Sequence, residues 1–430
     1  MGLPLASPVR TPTRAAARTV AVVEPGTDYA PALAARGHTP VAVATEPAPA
    51  KGAHPAGTRA QAVTHRGSLR RTAARLRDLR VDGVLAGSTR GIVLAEQVAS
   101  RLGLPADPAT VGQRSDRGIQ HRALQVAGIP APAGCRTDRL AEATAWWRAC
   151  KPAAAVLLPT AVGAPAAPVV CQTSIDIAHA WPAVRRAAHL HSGSADVVVS
   201  EYLPGRRYTV HSTTRPAAGG RAADHRVTDL WADSYTWDGI LARSELLPRH
   251  GLLARTLALY ALQVLDVLGV QAGPMVCRLA FAPGRGPLLL SAAPVLVSTP
   301  ADAALYAATG TDRLTSAVTS LLPEAPDPLR AMHRGQRVVR VHLHAAADSV
   351  LAPVLWGTLT QLPTVVATSP HLRAGAQARQ TASSRTTAGE VVLSHRQMQA
   401  VDSDYQTIRL LEATGLYAPV PAGVPTGGAR

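Results

Sequence analysis

The residues 197–205, VVVSEYLPG, decide how the rest of the chain is to be read. The leading valines and a serine make a buried-type strand, Glu201 and Tyr202 end it in polar chemistry, and Pro204 with Gly205 turns the chain. Downstream, 208–214 and 225–231 read as antiparallel strands. Apolar residues at Leu257, Ala261, Val264, Leu265 and Leu268 then share one helical face, with Gly269 as the stop. Strands over 274–281 and 287–290, joined by the turn 282–286, close this part of the chain as a hairpin.

Upstream of that stretch the pattern changes. Residues 19–23 form a short apolar strand, 29–35 a helix closed by Gly37, and 40–44 a second strand. A helix over 61–79, a strand over 81–86 and a helix over 92–102, stopped by Gly103 and Pro105, continue the alternation. Strands alternating with helices at this spacing predict a parallel sheet covered on both faces. A helix over 116–127 ends at Gly128 and Pro130, and the Pro-rich, small-residue segment 153–167 reads as a strand and a loop.

Composition excludes several classes. The formal charge of +16 is almost wholly arginine, since Lys51 and Lys151 are the only lysines. The arginines are scattered, with pairs such as Arg70 and Arg71 but no longer run, and aromatics make up 3%, so no nucleic-acid partner is expected. No apolar stretch reaches the roughly 18 residues needed to cross a bilayer, and residues 1–18 lack an apolar signal core. A disordered basic tail over 1–18 and a cytoplasmic protein without membrane association are the expectation. Cys135, Cys150, Cys171 and Cys277 stand far apart with no ligand spacing and are expected as buried, reduced thiols.

The ordered motifs carry a resemblance. GVLAGS at 83–88, LAE at 94–96, RLGLP at 101–105, Asp116 with Arg117, and ALQVAGIP at 123–130 come first. VSEYLPG at 199–205, HRVTDLW at 225–231, Trp237 to Gly239, ELLP at 245–248 and LDVLGV at 265–270 come after them in order. Together they resemble the ATP-grasp carboxylate-amine ligases, and GEVVLSH at 389–395 with Asp404, Tyr405, Ile408 and Glu412 is similar to the closing element of the amino-acid ligase branch. The resemblance implies an α/β chain of ATP-grasp fold. It implies a Rossmann-like domain over 19–110, ATP-grasp subdomains over 111–200 and 201–330, and a small α+β C-terminal element over 331–430.

The chemistry so implied is ADP-forming: a carboxylate is activated as an acyl phosphate and an amine attacks it. That step needs cations on the triphosphate, a flexible flap and carboxylates for magnesium. At the family's first ATP-binding lysine stands Arg117, which keeps the charge but not the ammonium geometry. At the second stands Leu158, before Pro159. The flap keeps Gly163 but gains Pro165 and Pro168, which cannot donate amides. Glu201, Tyr202 and Leu203 match the hinge where the family reads adenine, whereas the acids after them are replaced by Arg207 and His211. The family's magnesium-binding Glu, Glu and Asn are matched by Arg278, Ser291 and Ala293. Arginine in a metal's coordination shell would repel it.

The resemblance therefore implies a degenerate member. ATP is the expected cofactor at Arg117, Glu201, Tyr202 and Leu203, no magnesium is expected at the family site and no catalytic residue is assigned. The chain would serve as an accessory, scaffolding or ligand-sensing subunit, with a protein partner or active paralogue and a small carboxylate or amino acid as ligand. Two alternatives stand beside it. One is an active ligase whose metal ligands have moved to Asp229, Asp233, Asp238 or Glu245. The other is an anion-binding module in which Arg117, Arg207 and Arg278 converge. His342 and His344, with His333 upstream, are expected on a solvated strand. Trp146 and Trp147 are expected to pack a helix, and Ser88 and Ser212 have no triad context.

Overall fold

The computed structural model describes residues 17–25, 29–45, 61–164, 167–217, 222–237, 239–295, 299–310, 313–321, 335–381 and 387–420. The expected tail over 1–18 lies outside them except for Ala17 and Arg18, as do Pro165, Asp238 and His333.

The first layer is a parallel sheet in the order Gln61–Thr64, Thr39–Ala44, Thr19–Val23, Gly83–Ala86. Strand Thr19–Val23 is apolar and buried after Thr19 because both its faces are covered. Val20 and Val22 pack against Tyr29, Leu33 and Val318, while Ala21 and Val23 pack against Leu76, Ile92 and Val98. The helix expected over 61–79 is two elements. Gln61–Thr64 is an edge strand with only Val63 buried, too short to show a period, and Gly67 at φ 76° breaks the chain. Ser68 then starts helix Leu69–Asp78, its hydroxyl accepting from the Arg71 amide at 3.4 Å.

A smaller antiparallel sheet runs Gly134–Thr137, Val197–Glu201, Ala155–Pro159, Val169–Cys171. Helix Ser174–Ser192 covers it through Ile177, Trp181 and Val184, and opens with a reciprocal cap between Thr173 and Asp176. Helix Leu140–Cys150 places Trp146 and Trp147 against the same core, as expected. The thiols differ from expectation: all four are free, but Cys150 is exposed and Cys135 only partly covered, because both lie at the rim of this small layer.

The largest layer is an eight-stranded sheet in the order Gly286–Ala293, Gly273–Ala282, Arg207–Arg215, Asp224–Tyr235, Leu241–Leu246, Arg337–Leu343, Gly389–His395, Val365–Thr368. Strand Arg337–Leu343 pairs with Leu241–Leu246, so the sheet runs unbroken across the 330/331 boundary. Helix Leu252–Val267 lies on one face, where Leu257, Val264 and Leu265 are fully buried against Val210, Cys277, Leu279 and Leu289. Full burial of such a side chain stabilises by about 1.5–3 kcal/mol. The alternate residues of the same strands, among them Arg207, Thr209, His211 and Arg278, face the other way. That opposite face is therefore polar and carries charges of both signs, with Asp229 and Asp233 opposite His211 and Arg207.

Candidate functional site

Where the small sheet meets the polar face of the large one, a cleft of about 140 Å³ opens. Val156, Leu158 and Val170 wall it from one sheet, Leu279 and Leu290 from the other, and the connection Glu201–Leu203 forms its back. The hinge backbone is partly committed. The Glu201 amide donates to the Ala133 carbonyl and the Tyr202 amide to that of Ala154, both at 2.9 Å. Leu203 is buried with Ala280 and Leu288. The Glu201 carboxylate accepts from the Ala133 amide and from Arg285 Nη1, each at 2.8 Å, which ties the hairpin turn to the strand end.

Arginines line the other end. Arg117 opens helix Arg117–Val126, which Asp116 caps by accepting from the Ile119 amide at 3.0 Å. Its Nη1 donates to the carbonyls of Pro159 and Ala161 at 2.7 and 2.8 Å, fastening the strand end that carries Leu158. Arg207 stacks 4.8 Å from the centre of the Tyr235 ring. Burial, with Asp233 beside it, raises the Tyr235 pKa against the opposing pull of Arg207 and Arg278. Arg278 is exposed, stands between Thr209 and Ser291 in register, and makes no hydrogen bond or ion pair among the described residues. Against these cations stands Asp233, whose carboxylate is buried and accepts from Thr209 Oγ1 at 2.8 Å and Ser244 Oγ at 2.7 Å.

His121 also lines the cleft, and the sequence reading missed it. It is 6% exposed, and its ring is set against the backbone of Leu289 and Leu290. Burial, reinforced by Arg117, lowers its pKa to about 4, so the ring is neutral at pH 7. Its place four residues after Arg117, one turn along the same helix face, is a signal that spacing alone could have supplied.

The positions where the resemblance implies magnesium lie on one hairpin. Arg278 pairs with Ser291 in register, and Ala293, opposite Val276, packs toward the core under the parallel sheet. They present a guanidinium, a hydroxyl and a methyl group, whereas a hard cation takes several oxygens. Among the described residues, no group of three or more His, Cys, Asp or Glu could hold a metal ion. Of the alternative acids Asp229, Asp233 and Glu245, Asp233 alone lines the cleft. Asp229 is enclosed elsewhere on the sheet, and Glu245 sits opposite Ala232 on the face away from Asp233, 3.5 Å from Arg243. Gly163, retained in the flap, holds φ 76°, and an added Cβ would lie 2.4 Å from the Thr89 side chain, so this glycine serves close packing.

Beyond Arg278 the same face is filled by a buried polar network. Asp229 accepts from His211 Nδ1 at 2.7 Å, Thr228 Oγ1 at 2.8 Å and Arg313 Nη2 at 2.8 Å. Burial acts to raise its pKa, yet Arg313 and His211 hold it well below the carboxylate range. Arg313 and Arg340 stack on the Trp231 ring at 5.5 and 5.6 Å, and Arg340 pairs with Glu390 at 2.6 Å. His342, expected on a solvated strand, is instead 4% exposed between Ser244 and Glu390, because its strand is internal to the sheet and packed on this network. His344 is half-buried, its Nε2 2.9 Å from the Leu241 carbonyl oxygen.

No family model and no curated protein sequence matches the chain. Solved structures do. An L-amino acid ligase from Bacillus licheniformis superposes with a TM-score of 0.71 at 12% identity, covering 91% of this chain and 97% of that one. The carboxyaminoimidazole ribonucleotide synthase of Aspergillus clavatus, complexed with ATP, gives 0.67 at 14% identity, covering 93% and 99%. The biotin carboxylase domain of the Hydrogenobacter thermophilus 2-oxoglutarate carboxylase, with MgADP and bicarbonate, gives 0.62 at 10% identity, covering 92% and 93%. The chain has the ATP-grasp fold over about nine-tenths of its length, with a Rossmann-like N-terminal layer. Its structural neighbours are ATP-grasp carboxylate-amine ligases.

Proposed function

We propose that this chain binds a nucleotide in its ATP-grasp cleft without performing the magnesium-dependent acyl-phosphate step, and acts as a ligand-sensing or accessory subunit to an active paralogue or other partner. The observation that carries this reading is the replacement chemistry of one hairpin face: Arg278 beside Ser291, with Arg207 and Arg117 lining the same cleft. Guanidinia hold phosphate or carboxylate but cannot organise a divalent cation. The apolar walls and the Glu201–Leu203 hinge support the nucleoside end, as does the ATP or ADP complexed with neighbours of this fold. Free cysteines support a cytoplasmic setting, and among the described residues no helix is long and apolar enough to cross a membrane.

The test is calorimetric titration of the full chain with ATP, with and without magnesium, and then an ADP-release assay over a panel of amino acids. Binding without turnover is the expected result. ADP release that depends on two substrates would overturn the proposal.

A further inference from the structure

We propose that the cleft takes a nucleoside di- or triphosphate in its metal-free form, with the Arg278 guanidinium standing where a divalent cation would otherwise bridge the phosphates. This deepens the preceding proposal and rests on it.

Arg278 is committed to no hydrogen bond or ion pair among the described residues, although it is exposed into a cleft whose other charged groups are engaged. Arg117 is held by backbone carbonyls, Arg207 by the Tyr235 ring and Glu201 by Arg285. Asp233 keeps its charge but is held by the Thr209 and Ser244 hydroxyls and makes no ion pair with Arg278. What remains is a planar fork of donors that can meet two phosphate oxygens at once. Magnesium would compete for those oxygens and cancel part of the phosphate charge that attracts the arginines, so its addition should weaken binding.

A second observation points to a ligand independently. His121 lines the cleft more than nine-tenths buried, with the backbone of Leu289 and Leu290 as its neighbouring hydrogen-bond groups. A neutral imidazole carries one donor and one acceptor; backbone carbonyls can meet the donor, and leaving the acceptor nitrogen unmet in a buried site is unfavourable. A ligand hydroxyl or amino donor would satisfy it.

The experiment is isothermal titration of the full chain with ADP and ATP in EDTA, then with excess magnesium, read alongside the His121 ring resonances. Binding in EDTA that weakens on the order of tenfold or more with magnesium is expected, with the His121 signals shifting as ligand is added. Arg278→Gln should lose on the order of tenfold in EDTA, and Arg278→Glu should make binding require magnesium; because Arg278 is exposed, both are expected to keep the wild-type melting temperature. Binding of wild type that requires magnesium, without ADP release, would overturn this proposal while leaving the non-catalytic reading in place. Tripolyphosphate binding in EDTA with no affinity for ATP would overturn the nucleoside part. Failure of every nucleotide to bind would overturn both readings.

Discussion

Replacing Asp229 by Asn tests whether the buried network holds helix Arg313–Ser320 against the large sheet. The carboxylate is fully enclosed and takes donors from His211, Thr228 and Arg313, with Trp231 Nε1 as another. Asn keeps the shape but removes the charge and turns an amide donor toward one of these donors. Breaking a buried ion pair by removing one partner costs about 3–5 kcal/mol, because the remaining charge is left uncompensated. Asp302 lies 3.8 Å from Arg313 Nη1 and offers partial relief, which favours the lower end, about 3 kcal/mol. Native-state hydrogen exchange of amides in 313–320 is the suitable assay, since global denaturation of a chain with several layers need not be two-state. The double substitution with Arg313→Met should cost less than the sum of the singles. A loss under about 1 kcal/mol, or strictly additive singles, would refute the network as the tie. Because the Asp229 pKa is depressed, its contribution is present above the unfolded carboxyl pKa, roughly 3.9, and is lost as pH falls through the folded value. The cost of Asp229→Asn should therefore be flat from pH 5 to 8 (approximate bounds) and shrink only in acid.

Leu257→Ala should destabilise by about 2–5 kcal/mol, measured by native-state hydrogen exchange of amides in 252–267, yet leave nucleotide affinity of the folded fraction unchanged, since Leu257 packs on the face opposite Arg278. His342 is held neutral by burial, with a pKa lowered to about 3. Between that value and the unfolded value near 6.5, the unfolded chain binds a proton that the folded one does not, so stability falls as pH drops through this window. By pH 5 the contribution is about 2 kcal/mol, and His342→Gln should flatten the stability-pH curve by that amount; an unchanged slope would contradict the assignment.

Local chemistry explains what could be read from the sequence. The strand Thr19–Val23, the helix Ile92–Leu102 with its Gly103 stop and the helix Arg117–Val126 are each written in consecutive residues, and each stands where those residues place it. The edge strand Gln61–Thr64 was illegible because a single buried side chain makes no period. His342 was illegible for a different reason. Its burial comes from Ser244 and Glu390, which lie 98 and 48 residues away in sequence and meet it only through sheet register. The hinge falls between these cases, since Glu201 is legible as a strand-end acid while its engagement by Arg285 requires the hairpin to fold over it.

The arginines that give the chain its charge are best understood by what they bind. Arg114, 1% exposed, joins Glu96 and the carbonyls of Asp107, Leu268 and Gly269, tying the parallel layer to the end of helix Leu252–Val267. Arg340 meets Glu390, and Arg409 meets Glu412 and the carbonyls of Ala242 and His342. A guanidinium stays charged at any accessible pH, so each of these positions demands a fixed acceptor, and the fold supplies one. Such residues need no polyanionic partner to account for them. Arg278 is different in kind: it has the same donors and the same permanent charge, faces a cleft, and has no acceptor among the described residues. On the reading proposed above, the logic that makes the buried arginines structural makes Arg278 the place where an anionic ligand would complete the protein.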